Sequence, residues 1–365
     1  MEKILVVNEG YSSNLGDQAI KESVLNVIQH LGYKADFANY SVPALSDVME
    51  SAIDGLRADD LTRETVLPRK KFLQTPRKAA GQLKWYLTNR RPIRRILKND
   101  EYSIIIIGGG QLINSSEKVR FNIFSLALYC WVTQAKKNTK ARIYLMGVGV
   151  VDNFHPVESF FYNQALKLVD GIWVRDKYSR EALKKNFKIN SKLMPDFAFY
   201  EPGKMEVKYE KSNVALVGVY SFHEISVKLN KDGITREIYY KDWIEAIRRY
   251  QQQGFEVKLF YTTFSDAKEC VIFHEYLQNV HRLTIEIVQT GTLDKLCELY
   301  KKVKKIYSAR MHALILGMKY HCEVEAYLVN KKLETFDKEY IKAGKTPGAY
   351  SNEVRSVMAE VLGND

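Results

Sequence analysis

The sequence predicts an α/β protein built of two Rossmann-like domains in series, facing each other across a cleft. Three observations predict it. Short apolar runs alternate with amphipathic helical stretches along the 365 residues, the pattern of parallel sheet with crossover helices. The pattern breaks at a polar, turn-rich stretch around 201–212 and then restarts with a new first strand. The chain is also longer than one ordinary core organises.

The elements follow in order. Residues 3–7, apolar from Ile4 to Val7, read as a first strand. In the helix after it Ile20, Val24, Val27, Ile28 and Leu31 share one face, and Gly32 closes it. Strands are expected over 35–40, 102–107, 142–146 and 171–174, with helices over 121–135 and 179–186. A short segment near Met194 ends at Pro195-Asp196. Past the break, strands are expected at 213–220, 256–261, 283–288, 305–308 and 324–329. The helices between them fall at 243–252, 267–278, 293–302 and 311–319, and two short helices finish the chain. This divides the chain into an N-terminal domain, 1–202, a C-terminal domain, 203–335, and C-terminal helices, 336–365.

Composition narrows the class. Hydrophobic residues make up 46% and charged residues 27%, as in ordinary globular proteins. No run approaches the length of a membrane span, and the start lacks the apolar region of a signal peptide. A cytoplasmic location is the expectation. The four cysteines lie far apart among apolar neighbours, and the seven histidines show no ligand spacing, so neither a disulfide framework nor a metal site is expected.

The net charge of +12 is concentrated. Residues 68–99 hold eleven cations and no acid, interleaved with Phe72, Leu83, Trp85, Tyr86 and Leu87. Such an insertion suits an anionic membrane surface, a phosphate-rich ligand or nucleic acid, or is a solvated helix with an ordinary apolar face. No nucleic-acid signature accompanies it. Peripheral contact with the inner face of the plasma membrane stands as an alternative to the solvated helix, and nucleic acid is not expected.

In open α/β sheets ligands bind outside the carboxyl ends of the strands, and the polar punctuation falls there. Asn14-Leu15-Gly16-Asp17 follows the first strand, where Asp17 is expected to cap the helix and face the ligand at once. Gly108-Gly109-Gly110-Gln111 follows the 102–107 strand and either makes a tight turn or approaches a ligand. Arg175-Asp176 follows the 171–174 strand, as a ligand clamp or an internal ion pair. Ser308-Ala309-Arg310-Met311-His312 runs from a strand into a helix. It brings together free N–H groups, a guanidinium and an imidazole, which is an anion site with a titratable group beside it.

The segments NLGDQAI, IIIIGGGQLI, WVRDKYSREAL, PDFAF and SARMHALILGMKY, in that order, resemble the polysaccharide pyruvyl transferase family. The resemblance spans about 4–332. It implies the two-domain GT-B arrangement and transfer of the pyruvyl group of phosphoenolpyruvate onto two hydroxyls of a sugar. A cyclic ketal forms and phosphate leaves; the sugar belongs to a cell-surface polysaccharide or its lipid-linked precursor in a bacterium. It associates Arg175, Arg310 and His312 with the donor, joined by Ser308. On this reading His312 is the general acid, with Asp17 and Asp196 as helpers on the hydroxyls. Asn14, Gly16, Gly108, Gly109, Gly110, Gln111 and Asp196 form the acceptor or phosphate side. No metal or cofactor is implied. Many members carry an Arg just after the first strand of the second domain, where this chain reads VALVGVYSFHEI, with His223 and no Arg. Two other readings share the cleft: a GT-B glycosyltransferase using a nucleotide sugar, and a non-catalytic glycan-binding member.

Overall fold

A computed structural model describes residues 3–42, 74–115, 122–203, 209–228 and 234–363, with side chains of the helix at 74–99 described from residue 81. Much of the basic insertion read from the sequence, including Arg69, Lys70, Lys71 and Phe72, lies outside the described residues. So do the side chains of Arg77 and Lys78, and residue Phe121 at the start of a predicted helix.

The first half is a six-stranded parallel sheet in the order β2-β1-β3-β4-β5-β6. Its strands are β1 (Lys3–Asn8), β2 (Lys34–Asn39), β3 (Tyr102–Gly108), β4 (Arg142–Val148), β5 (Gly171–Val174) and β6 (Lys192–Leu193). Helices α1 (Leu15–His30), α2 (Gln74–Asn99), α3 (Ile123–Asn138), α4 (Pro156–Leu166) and α5 (Lys177–Phe187) cross between them. The four isoleucines Ile104–Ile107 have no exposed surface. A central parallel strand is covered on both faces, which is why this one is a continuous apolar run.

The second half is a four-stranded parallel sheet in the order β10-β9-β7-β8. It comprises β7 (Ser212–Gly218), β8 (Glu256–Leu259), β9 (Val303–Ser308) and β10 (Glu323–Ala326). Around it pack α6 (Phe222–Lys228), α7 (Arg236–Gln252), α8 (Phe264–His281), α9 (Leu293–Lys302) and α10 (Met311–Lys319). The chain closes with α11 (Lys331–Phe336), a π-helical turn (Asp337–Ile341) and α12 (Pro347–Leu362).

Strand order reverses between β1 and β3 in one sheet and between β7 and β9 in the other. These are the switch points where α/β sheets take ligands. The halves meet there. The Leu15 amide at the start of α1 donates to the Thr262 carbonyl at 3.0 Å, and α1 packs on α9 and α10. The last segment returns to the first half. Tyr340 Oη donates to the Arg175 carbonyl, the Lys177 amide to Glu339 at 3.2 Å, and Tyr33 Oη to the Leu362 carbonyl at 2.9 Å.

Some sequence expectations need correction. The predicted strand at 283–288 is a single bridge, Leu259 to Ile287. Its partner β8 is only four residues long and ends at Leu259, so Ile285 is buried without a ladder to join. The helix expected from 243 starts at Arg236, capped by Thr235, and the strand expected to 329 ends at Ala326. The last helix has sixteen residues and is not short. Helices α4 and α6 were not read from the sequence. α4 starts on an unusual His155 cap, and its exposed Val157 and Phe160 beside buried Glu158 break the one-sided apolar pattern. No described helix is long and apolar enough to cross a membrane.

Candidate active site

The site is built on loops that leave carboxyl strand ends. At the end of β1, Asn14 caps α1 by accepting from the Gly16 amide at 3.0 Å. Asp17 is therefore not the cap. Its Oδ2 instead accepts from Ser12 Oγ at 2.8 Å and Asn14 Nδ2 at 3.1 Å. Burial raises the Asp17 carboxyl pKa, with the nearby His312 and Lys332 acting in the opposite direction. Gly16 has a strict packing reason: a Cβ there would lie 2.5 Å from His312 Nδ1. The imidazole from the second half sits directly on the first turn of α1.

His312 occupies the first turn of α10, and its Nε2 lies 3.3 Å from Asp196 Oδ2. The same carboxylate oxygen accepts from Arg175 Nη1 at 3.1 Å, while Asp196 Oδ1 caps the turn at Phe197–Phe199 through the Ala198 amide. Burial alone would raise the Asp196 carboxyl pKa. His312 and Arg175 more than offset it and hold the group below the usual carboxylate range. Arg175 is only 2% exposed. Its Nε lies 3.5 Å from Asp176 Oδ2, and its guanidinium rests on Gly149, where a Cβ would approach within 2.5 Å. The internal ion pair is what the structure contains; Arg175 stands behind Asp196 rather than open to the cleft.

Arg310 is held just as firmly but nearer the surface, at 21% side-chain exposure. Nε and Nη2 donate to the two oxygens of Asp266, each at 2.7 Å. Nη2 also donates to Glu224 at 2.9 Å and Thr263 at 3.2 Å. The guanidinium carbon lies 4.2 Å from the Tyr220 ring centre. Tyr220 and Glu224 thus occupy the stretch where an Arg was expected, and His223 is exposed. Buried Ser308 accepts from the Arg310 amide at 3.1 Å and shapes the strand-to-helix turn.

The triple glycine answers to protein neighbours first. A Cβ on Gly108 would lie 2.0 Å from the Met146 carbonyl oxygen, and one on Gly109 2.1 Å from Ile20 Cγ2. The Gly109 amide donates to the Met146 carbonyl at 2.8 Å, so it is not free to hold an anion. Gly110, at φ +72°, borders the Asp17 carboxylate. Gln111 follows, partly exposed.

Lys332 was not singled out from the sequence. It is partly buried at the start of α11, and among the described residues it has no hydrogen-bond or ion-pair partner. Burial, with Arg175 and Arg310 adding to it, pushes its ammonium pKa down to about 7 against the pull of Asp176 and Asp196. Asp266 was missed too. Both follow strand ends, β10 and β8, by the rule that found the other segments. A further carboxylate, Glu9, has a pKa raised by burial and lies close enough to Asp17 to repel it. Among the described residues no group of three or more His, Cys, Asp and Glu side chains is arranged to hold a metal.

The arrangement is a hydrogen-bonded chain Arg175–Asp196–His312 across the domain interface, with Lys332 beside it and the Asp17 carboxyl, of raised pKa, against His312. It can bind a small anion and move a proton next to it. A family model of polysaccharide pyruvyl transferases matches residues 14–324, and the chain belongs to that family. No curated protein matches the sequence. The fold is similar to UDP-GlcNAc 2-epimerase from Methanocaldococcus jannaschii, at 8% identity over 100% of both chains with a TM-score of 0.54. It is also similar to UDP-GlcNAc 2-epimerase from Neisseria meningitidis bound to UDP-GlcNAc, at 11% identity over 100% of both chains with a TM-score of 0.50. These likenesses define the two-domain, GT-B-like fold.

Proposed function

We propose that the cleft binds phosphoenolpyruvate and transfers its pyruvyl group onto two hydroxyls of a sugar, as a cyclic ketal, with release of phosphate. The sugar belongs to a cell-surface polysaccharide or its lipid-linked precursor, and the reaction is cytoplasmic. The observation that carries this reading is the meeting of His312, Asp196 and Lys332 past the carboxyl ends of the strands, in a chain of the polysaccharide pyruvyl transferase family.

The donor is a small polyanion. A partly buried ammonium without an internal partner gains an ion pair when such an anion arrives, so Lys332 is the first contact. Arg310 stands nearby, its guanidinium held by Asp266 and Glu224. His312 gives its proton to the methylene carbon, and Asp196 holds the imidazolium in place. The double-bond electrons form the new C–H bond, leaving an oxocarbenium-like centre at the adjacent carbon. One sugar hydroxyl attacks that centre, and the second displaces phosphate, which leaves with the C–O bonding pair. Of the two hydroxyl protons, one restores His312 and the other leaves with phosphate. Asp17, with its pKa raised by burial, receives a hydroxyl proton in passing. No step requires a metal or cofactor.

Calorimetric titration of the full chain tests the reading. Phosphoenolpyruvate should bind and UDP should not, and His312→Gln should retain donor binding while losing turnover. Binding of UDP without binding of phosphoenolpyruvate would overturn it.

A further inference from the structure

We infer that the exposed face of α2 docks on an anionic lipid bilayer. The helix has two faces. Ile93, Ile96 and Leu97 are buried, and Trp85 Nε1 donates to the Ser41 carbonyl at 2.7 Å, so one face is fixed on the first half. The other face carries Lys84, Arg90, Arg91, Arg94, Arg95 and Lys98, all exposed. Among the described residues none of these six forms an ion pair. There is no acid anywhere in Gln74–Asn99.

Cations alone would suit any polyanion. The discriminating feature is Leu83 and Leu87, exposed by 59% and 62%. At a spacing of four residues they stand one turn apart on the same solvent face as Arg90 and Arg94. An exposed leucine pair beside arginines has no counterpart in a nucleic-acid backbone. At a bilayer surface the leucines enter the headgroup–acyl boundary while the cations meet lipid phosphates.

Topology places this face relative to the cleft. α2 leads into β3 and so runs antiparallel to the strands. Its N-terminal portion lies at their carboxyl ends, where the cleft opens, and the Trp85–Ser41 bond just past β2 anchors it there. The leucines therefore lie at the cleft edge, and the arginines extend away from it along the helix. A docked molecule would present its cleft beside the lipid surface.

Vesicle flotation of the full chain tests this, using phosphatidylcholine vesicles with and without about a third phosphatidylglycerol. Binding is expected to the anionic vesicles only, and to vanish at about 0.5 M salt, where charges more than a few ångströms apart are screened. At about 1 kcal/mol per cation, Arg91→Ala with Arg94→Ala should weaken partitioning roughly thirty-fold. Leu83→Ser with Leu87→Ser should weaken it about ten-fold through lost apolar burial. Both pairs are exposed, so unchanged melting and unchanged phosphoenolpyruvate affinity separate this proposal from the donor assignment. Equal binding to neutral vesicles, no binding to either, or loss of vesicle binding to a competing DNA duplex would overturn it.

Discussion

Arg175 and Arg310 look alike in sequence. Each follows a strand, each precedes a polar group, and each reads as an anion clamp. In the folded chain they sit on opposite walls of the cleft and differ. Arg175 is 2% exposed and locked between Asp176 and Asp196. Arg310 is ten times more exposed at 21%, yet its guanidinium is shared between Asp266 and Glu224. A cation already matched by carboxylates offers little net charge to a ligand. The comparison favours, in the proposed function, Lys332, which among the described residues forms no ion pair.

The comparison can be broken first at Arg175. Arg175→Met leaves Asp196 and Asp176 buried without their cation, which should cost about 3–5 kcal/mol of stability in urea unfolding. Arg310 and its partner Glu224 are partly exposed, at 21% and 17%, so Arg310→Met should cost about half as much. If the two variants unfold alike, the distinction between a buried positioning residue and a wall residue fails.

A smaller effect sharpens the packing of His312. Gly16→Ala places a methyl against the imidazole, where a Cβ would meet His312 at 2.5–2.7 Å. Overpacking of this kind costs about 1–3 kcal/mol. Because the displaced group is His312, turnover should fall by more than the stability loss alone explains. Wild-type turnover in the alanine variant would detach His312 from this position.

The smallest stability effects separate cap from site. Asn14→Ala removes the α1 cap and should cost about 1 kcal/mol. Asp17→Asn keeps that cap and should leave the melting temperature nearly unchanged while turnover drops. Lost stability with retained turnover would make Asp17 a structural residue.

Much of the fold was legible because its signals are local. The Ile104–Ile107 run and the face of α1 each name their own element. The 283–288 segment misled because an apolar alternation does not state whether a partner strand is long enough to pair with it. At the site, strand-end punctuation found Arg310, His312 and Asp196. It missed Asp266 and Lys332, although each also follows a strand, because a lysine or an aspartate in the first turn of a helix carries no local mark. What sets Lys332 apart is burial beside two arginines about 157 and 22 residues away in the chain, and pairing over such distances is decided by tertiary contact. The roles of the glycines at 16 and 149 were hidden for the same reason, since the side chains that need the space come from elsewhere.

The most direct test is the pH dependence of phosphoenolpyruvate affinity in the wild type, Lys332→Arg and Lys332→Met. With its pKa lowered to about 7, Lys332 is charged below that pH and loses its proton above it. Wild-type affinity should therefore be highest below about pH 7 and fall up to about ten-fold per pH unit above it. Lys332→Arg, whose guanidinium stays charged across the whole titration, should bind with a flat profile, and Lys332→Met should bind weakly throughout. A flat wild-type profile, or full affinity in the methionine variant, would contradict Lys332 as the cation that receives the donor.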